Sequence, residues 1–281
     1  MNYIELLKNS YKKYSSLLCL GLDPVIEDIP VIGTIEEKIY NFYYNILNKI
    51  LHKKIFPSVI KPNYAFYAQY GFEGLHALLK VILLFKNEGF PVILDVKRGD
   101  IGKTAEAYAR EAFDFFQADA VTLSPFMGYD SIHPFLSMYP GKGYYILTKT
   151  SNSSSEDFQD LLYNEKPLFM YIAQKITEWY KPGIGSVIGA TYPEQLIKLT
   201  DIYINSNKEI PLLIPGVGTQ GGDLAGVVNI LKNYKDISIH RINSSSAINY
   251  AYKKHPGMKY DDAALLAIAD FNISIEQSLT N

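Results

Sequence analysis

Residues 92–104 read VILDVKRGDIGKT, an apolar run that finishes on Asp95, Lys97 and Asp100 around a glycine turn. Side chains alternate along a strand, so a spacing of two is expected to put Asp95 and Lys97 on one face. Burying an ion pair seldom adds stability, because desolvation costs at least as much as the attraction returns. Charges gathered where a buried strand ends therefore point to chemistry rather than packing. Asp23 in GLDP and Lys61 in IKPN occupy comparable places. Each has an ordinary reading: Asp23 as a turn former before Pro24, Lys61 as a solvated strand end, Asp100 as a helix cap. Their joint placement is the stronger signal. Lysines set among aspartates suit proton transfer to or from carbon. No metal is expected, since the lysines already neutralise the acids and no histidine stands nearby.

A second pattern is IPGVGTQGGD at 214–223, in which Pro215 and Gly218 lead to Gln220 ahead of a helical stretch. A glycine-rich turn into a helix amino end offers unpaired N–H groups to an anion. INSSSAI at 242–248, with Ser245 and Ser246, is a second small, donor-rich segment. The spacing is not that of a dinucleotide fingerprint. Two such loops suit a phosphate, and with the charged cluster they suit a small phosphorylated carboxylate or carbonyl compound.

The elements that must hold these residues alternate. Strand candidates lie at 17–21, 57–61, 91–97, 119–123, 143–150, 185–190, 211–216 and 237–243, with helical patterns such as TIEEKIYNFYYNILNKIL and PLFMYIAQKITEWY between them. Eight such units argue a single-domain α/β protein, a (β/α)8 barrel over about 17–281 behind an amphipathic helix at about 2–14; a doubly wound open sheet is the alternative. In a barrel the active site is built at the carboxyl ends of the strands, where Asp23, Lys61, Asp95 and Lys97 all fall. The polar segment SNSSSEDFQD at 151–160 reads as a long loop on that face.

Composition narrows the partners. With 27 basic and 29 acidic residues the net charge is −2, which gives no general attraction to nucleic acid or anionic membrane. The only cysteine, Cys19, excludes an intrachain disulfide and fits a reducing, cytoplasmic setting. The longest apolar run, VILLF at 81–85, is too short to span a bilayer, and the amino terminus lacks a signal core.

Taken together, GLDP, IKPNYAFY, DVKRGDIGKTAEAYA, TKTSN and PGVGTQGGD resemble the orotidine 5'-phosphate decarboxylase family, with KRGDIG similar to one subgroup of it. The resemblance covers about 17–250. It implies a homodimer of barrels that converts orotidine 5'-monophosphate to uridine 5'-monophosphate and carbon dioxide with no cofactor. It also implies that Lys97 gives the proton to C6, that Asp95 sits against the departing carboxylate, and that Lys61 and Asp100 complete the charged network. Asp100 and Thr104 would reach in from the other subunit. Asp23, Lys61 and Asn63 would hold the ribose, Thr150 and Ser151 the pyrimidine edge, and Pro215, Gly218, Gln220, Ser245 and Ser246 the base and phosphate. The sequence departs from the family at one place: where the pattern has an arginine that clasps the phosphate, Ser246 stands in INSSSAI. Two other readings are a sister magnesium-dependent lyase acting on a keto-sugar phosphate and a barrel that binds nucleotide without turnover.

Overall fold

The structure, a computed structural model, describes residues 1–217 and 221–280. Eight parallel strands make one sheet. They are β1 (Leu18–Leu22), β2 (Val59–Pro62), β3 (Ile93–Arg98), β4 (Ala120–Leu123), β5 (Gly143–Lys149), β6 (Ile184–Ile188), β7 (Leu212–Ile214) and β8 (Arg241–Ser244). Neighbours run β2-β1-β8-β7-β6-β5-β4-β3. The two end strands meet through single parallel pairings, Ile60 with Val92 and Asn63 with Asp95. The sheet therefore curls into a nearly closed (β/α)8 barrel rather than an open doubly wound sheet.

Inward-facing residues on the strands sort by height. Cys19, Val59, Ile93, Ala120, Tyr145, Val187 and Leu213 form an apolar layer low in the barrel. Two residues further on, along the same faces, come Gly21, Lys61, Asp95 and Thr122. The lower layer is the packed floor on which a polar upper layer can stand.

Helices cover the outside with apolar stripes. The helix Ile35–Lys53 opens on a capping box between Thr34 and Glu37 and buries Ile39, Phe42, Tyr43, Ile46, Leu47 and Ile50. That three-and-four spacing is one face of an α-helix. The first helix, Tyr3–Tyr14, opens on a box of Asn2 and Glu5, and it sends Tyr3, Ile4 and Leu7 into the floor cluster. No helix among the described residues is long and apolar enough to cross a membrane.

Two expectations need correction. The eighth strand begins at Arg241, not at 237: Ile237–Ile239 is a 3-10 turn because Asp236 Oδ1 accepts the Ser238 N–H at 3.0 Å and bends the chain. Arg241 is wholly buried at the strand's lower end, where its guanidinium donates to the carbonyls of Leu7 (2.7 Å), Ser238 (2.7 Å) and His240 (2.6 Å). The segment 151–160 is not an open loop either. It forms a 3-10 turn, Ser153–Ser155, and a short helix, Glu156–Gln159, which leads to a small hairpin at 162–167.

Candidate active site

The charged cluster is built around Asp95, which is 8 % exposed. Its Oδ2 lies 3.3 Å from Lys61 Nζ, and its Oδ1 accepts from Lys97 Nζ at 2.7 Å and from Thr122 Oγ1 at 2.8 Å. Burial raises the Asp95 carboxyl, but Lys61, Lys97 and Thr122 together outweigh it and hold the group down at about 2. Burial likewise disfavours a charged Lys61, and the carboxylates of Asp95 and Asp23 overcome it, so the ammonium is held above the ordinary lysine value. The charges are fixed before any ligand arrives.

Strand alternation is not what brings Asp95 and Lys97 together. Leu94 pairs with Val121 and Arg98 with Leu123, so β3 bulges between them, and Lys97 has a left-handed backbone with φ of 48°. The lysine side chain, half-exposed at the rim, is turned back onto the carboxylate by that bulge. Beyond it, Arg98 is clamped between Glu111, at 2.8 Å, and the faces of Tyr64 and Tyr108, which steadies the turn into the next helix.

A cavity of about 390 Å³ opens beside Asp95. It brings together Asp23, Lys61, Asn63, Asp95, Pro215, Ser245 and Ser246, which the sequence singled out. Lys97 joins through its bond to Asp95. Asp23 follows β1 and receives a hydrogen bond from Ser245 Oγ at 2.5 Å. Ser245 comes so close to β1 that a Cβ on Gly21 would lie 2.6 Å from the Ser245 Cβ, so position 21 requires glycine. The other oxygen of Asp23, Oδ1, is buried without a hydrogen-bond partner among the described residues.

The other described residues that the sequence singled out are not among those lining this cavity. Thr150 donates to Asn152 Oδ1 at 2.7 Å and is bonded through both its N–H and its hydroxyl to Gln159. Ser151 accepts from Thr191 Oγ1 through its carbonyl. Their segment is tied down by Lys149, whose wholly buried side chain reaches Asp160 at 2.9 Å. Asp100 accepts only from its own neighbour, the Ile101 N–H at 2.8 Å, and forms no ion pair among the described residues. It does not cap the helix Gly102–Arg110, on which Thr104 lies exposed. Gly218 and Gln220 lie outside the described residues.

The amino end of the helix after the glycine-rich turn is capped from within the chain. The helix that follows, Leu224–Leu231, has its amino end taken by Asp223, whose Oδ1 accepts the Ala225 N–H at 3.0 Å. One amino-end N–H of this helix is therefore bonded to a carboxylate of the chain itself. The described part of the turn that faces the cavity is Pro215, Gly216 and Val217.

The cavity also holds residues that the sequence did not flag. Asn243 lines it with Oδ1 unpartnered among the described residues. It lies two positions before Ser245 on β8, a spacing that could have indicated it. Tyr250 closes one side: its hydroxyl accepts from the Val25 N–H at 2.7 Å and donates to the Asp23 carbonyl at 2.9 Å. Nothing local in the sequence marks Tyr250.

Chemically, the arrangement offers a cation held against a carboxylate that cannot readily take up its proton, with unpaired acceptors further along the cavity. Residues 16–255 match the Orotidine 5'-phosphate decarboxylase / HUMPS family. The chain is 39 % identical over 254 residues to an orotidine 5'-phosphate decarboxylase of Ralstonia nicotianae, a match covering 89 % of this chain and 90 % of the relative. It is 40 % identical over 258 residues to that of Cupriavidus metallidurans, covering 90 % and 91 %. Among solved structures, the OMP decarboxylase of Leishmania donovani superposes with a TM-score of 0.79 at 31 % identity, covering 98 % of this chain and 99 % of that one. With its barrel, its charged strand ends and these relatives, the chain belongs to the orotidine 5'-phosphate decarboxylase family.

Proposed function

We propose that the cavity beside Asp95 binds orotidine 5'-monophosphate and that Lys97 protonates the carbon from which carbon dioxide leaves. The chain is an orotidine 5'-phosphate decarboxylase, a carbon–carbon lyase that makes uridine 5'-monophosphate in pyrimidine synthesis. The observation that carries the residue assignment is the Asp95 carboxylate shared by two lysines beside a cavity of nucleotide-binding size.

In this reading the C6–carboxylate bond breaks, its electron pair stays on C6, and carbon dioxide departs past Asp95. The Lys97 ammonium then gives C6 a proton, and solvent restores it. The ring delocalises that electron pair poorly, so acceleration depends on charges already in place and better matched to the transition state than to the substrate. Asp95 stays ionised because two lysines hold its pKa at about 2, so it repels the substrate carboxylate and favours its loss. The unpaired Oδ1 atoms of Asp23 and Asn243 suit the hydroxyls of a ribose, with Lys61 and Asn63 beside them. Pro215, Gly218, Gln220, Ser245 and Ser246 serve the base and phosphate, and Thr150 and Ser151 the pyrimidine edge.

We assign Asp100 and Thr104 to the partner's site in a homodimer that works in the cytoplasm, and the KRGDIG sequence to the subgroup that it resembles. Three features support the dimer: Asp100 has no ionic partner among the described residues, Thr104 is exposed, and Ile101, Phe126 and Met127 nearby are exposed apolar side chains. The test is to follow the ultraviolet absorbance of orotidine 5'-monophosphate with purified protein, with and without a chelator. Equal loss of substrate in both is expected. Absence of turnover, or turnover abolished by the chelator, would overturn the reading.

A further inference from the structure

We infer that Thr122, which does not line the cavity, is a positioning residue that sets both the Asp95 carboxylate and the Lys97 backbone for decarboxylation; this rests on the function proposed above. The argument begins with register. β3 and β4 pair Ile93 with Ala120 and Leu94 with Val121, and then resume at Arg98 with Leu123. Three residues, Asp95, Val96 and Lys97, are thus set against Thr122 alone.

A bulge of this kind leaves backbone N–H groups without their ladder carbonyls. A buried N–H must still be paired. Here Val96 N–H and Lys97 N–H both donate to Thr122 Oγ1, at 3.0 and 2.9 Å. A hydroxyl oxygen has two lone pairs and one proton. With both lone pairs occupied, the proton has one remaining use, and it goes to Asp95 Oδ1 at 2.8 Å. Every bonding capacity of this hydroxyl is committed, and Thr122 is only 2 % exposed, so no water competes for it.

Two consequences follow for the charged site. Lys97 keeps an uncommon left-handed backbone, and its own N–H is one of the two bonds to Thr122. That conformation turns its ammonium onto the same Oδ1 that Thr122 holds. The Thr122 bond also fixes the rotation of the carboxylate, so that Oδ1 meets Lys97 while Oδ2 meets Lys61. One side chain on β4 therefore determines where the proton donor and its counter-charge stand on β3.

Thr122→Val keeps the shape and removes the hydroxyl. Displacing a catalytic group by about 1 Å costs roughly a hundredfold in rate, so kcat for orotidine 5'-monophosphate is expected to fall by about that factor. KM, and the affinity for uridine 5'-monophosphate by calorimetry, should stay within about threefold, because ribose and phosphate contacts are made elsewhere. Thr122→Ser retains the hydroxyl and should bring kcat back to within about fivefold of the parent. A melting curve establishes that each variant is folded. Should the valine variant not fold, Thr122→Cys, similar in size and a much weaker hydrogen-bonding group, is judged by the same criteria. An unchanged kcat in a folded variant, a loss confined to KM, or a serine variant as slow as the valine one would each overturn the inference. An inactive parent protein would instead overturn the decarboxylase assignment on which the inference rests.

Discussion

Lys97 Nζ stands 2.7 Å from Asp95 Oδ1, and it arrives there from a left-handed backbone within a bulged strand rather than from the next position on a regular face. An ion pair formed in this way spends conformational freedom to keep an ammonium at one point. Such preorganisation is useful where charge develops during a reaction.

Lys97→Ala is accordingly expected to reduce kcat by more than about a thousandfold, since it removes both the electrostatic stabilisation and the proton donor. The fold should survive, because Lys97 is half-exposed and Asp95 keeps Lys61 and Thr122 as partners. Absorbance assays alongside circular dichroism check both halves. A folded variant with substantial turnover would remove Lys97 from the chemistry.

The dimer assignment makes a different prediction. If Asp100 acts across a two-fold axis, mixing inactive Lys97→Ala and Asp100→Ala subunits gives hybrids in which one site carries both lesions and the other carries neither. Each hybrid dimer should then recover about half the parent activity. The measurement is activity after unfolding and refolding the two variants together. No recovery, with subunit exchange verified by mass, would mean that each site is built within one chain.

Ser246 is exposed at the edge of the cavity, at the start of the short helix Ser246–Asn249. The nearest arginine in sequence cannot substitute for it, because Arg241 is buried at the opposite end of β8 against the Leu7 carbonyl. Ser246→Arg should therefore add charge-assisted bonds to the phosphate worth about 1.5–3 kcal/mol. That corresponds to roughly ten- to hundredfold lower KM for orotidine 5'-monophosphate. Binding of the unphosphorylated nucleoside should hardly change. If both ligands respond alike, or neither does, Ser246 does not face the phosphate.

Stability should carry the signature of His240. Burial, with Arg241 beside it, lowers this histidine from 6.5 to about 3, and its Nδ1 accepts the Leu212 N–H at 3.1 Å. Between those values the unfolded chain binds a proton that the folded chain refuses. Stability is therefore fully present above pH 6.5 and declines as pH falls toward 3, by up to about tenfold in the folding equilibrium per pH unit. Urea midpoints between pH 7 and pH 4 measure the slope. His240→Asn, which can still accept from Leu212, should start lower and lose stability less steeply; identical slopes would point to another group.

The barrel was legible because βα alternation is a local property of the sequence, and each strand was found to within a few residues except the last. There Asp236 imposes a turn that apolar content alone could not reveal. The charged site was legible as a set of residues, since Asp23, Lys61, Asp95 and Lys97 are all carried near the ends of strands. Its geometry was not. The bulge in β3 depends on a hydroxyl in β4, and the wall formed by Tyr250 depends on contacts 225 and 227 residues away along the chain. The Asp223 cap was open to view as an aspartate directly before a helical stretch.

The bond between Arg241 and the Leu7 carbonyl joins positions 234 residues apart. Contacts that distant cannot form during synthesis until nearly the whole barrel has emerged. Until then Ile4 and Leu7 of the first helix have only part of the floor to cover, and the Leu7 carbonyl waits for Arg241. The first helix thus acts as a latch on the finished barrel. Trimming it would remove one of the three carbonyls that hold the buried guanidinium and lengthen the interval in which a partly closed sheet can aggregate.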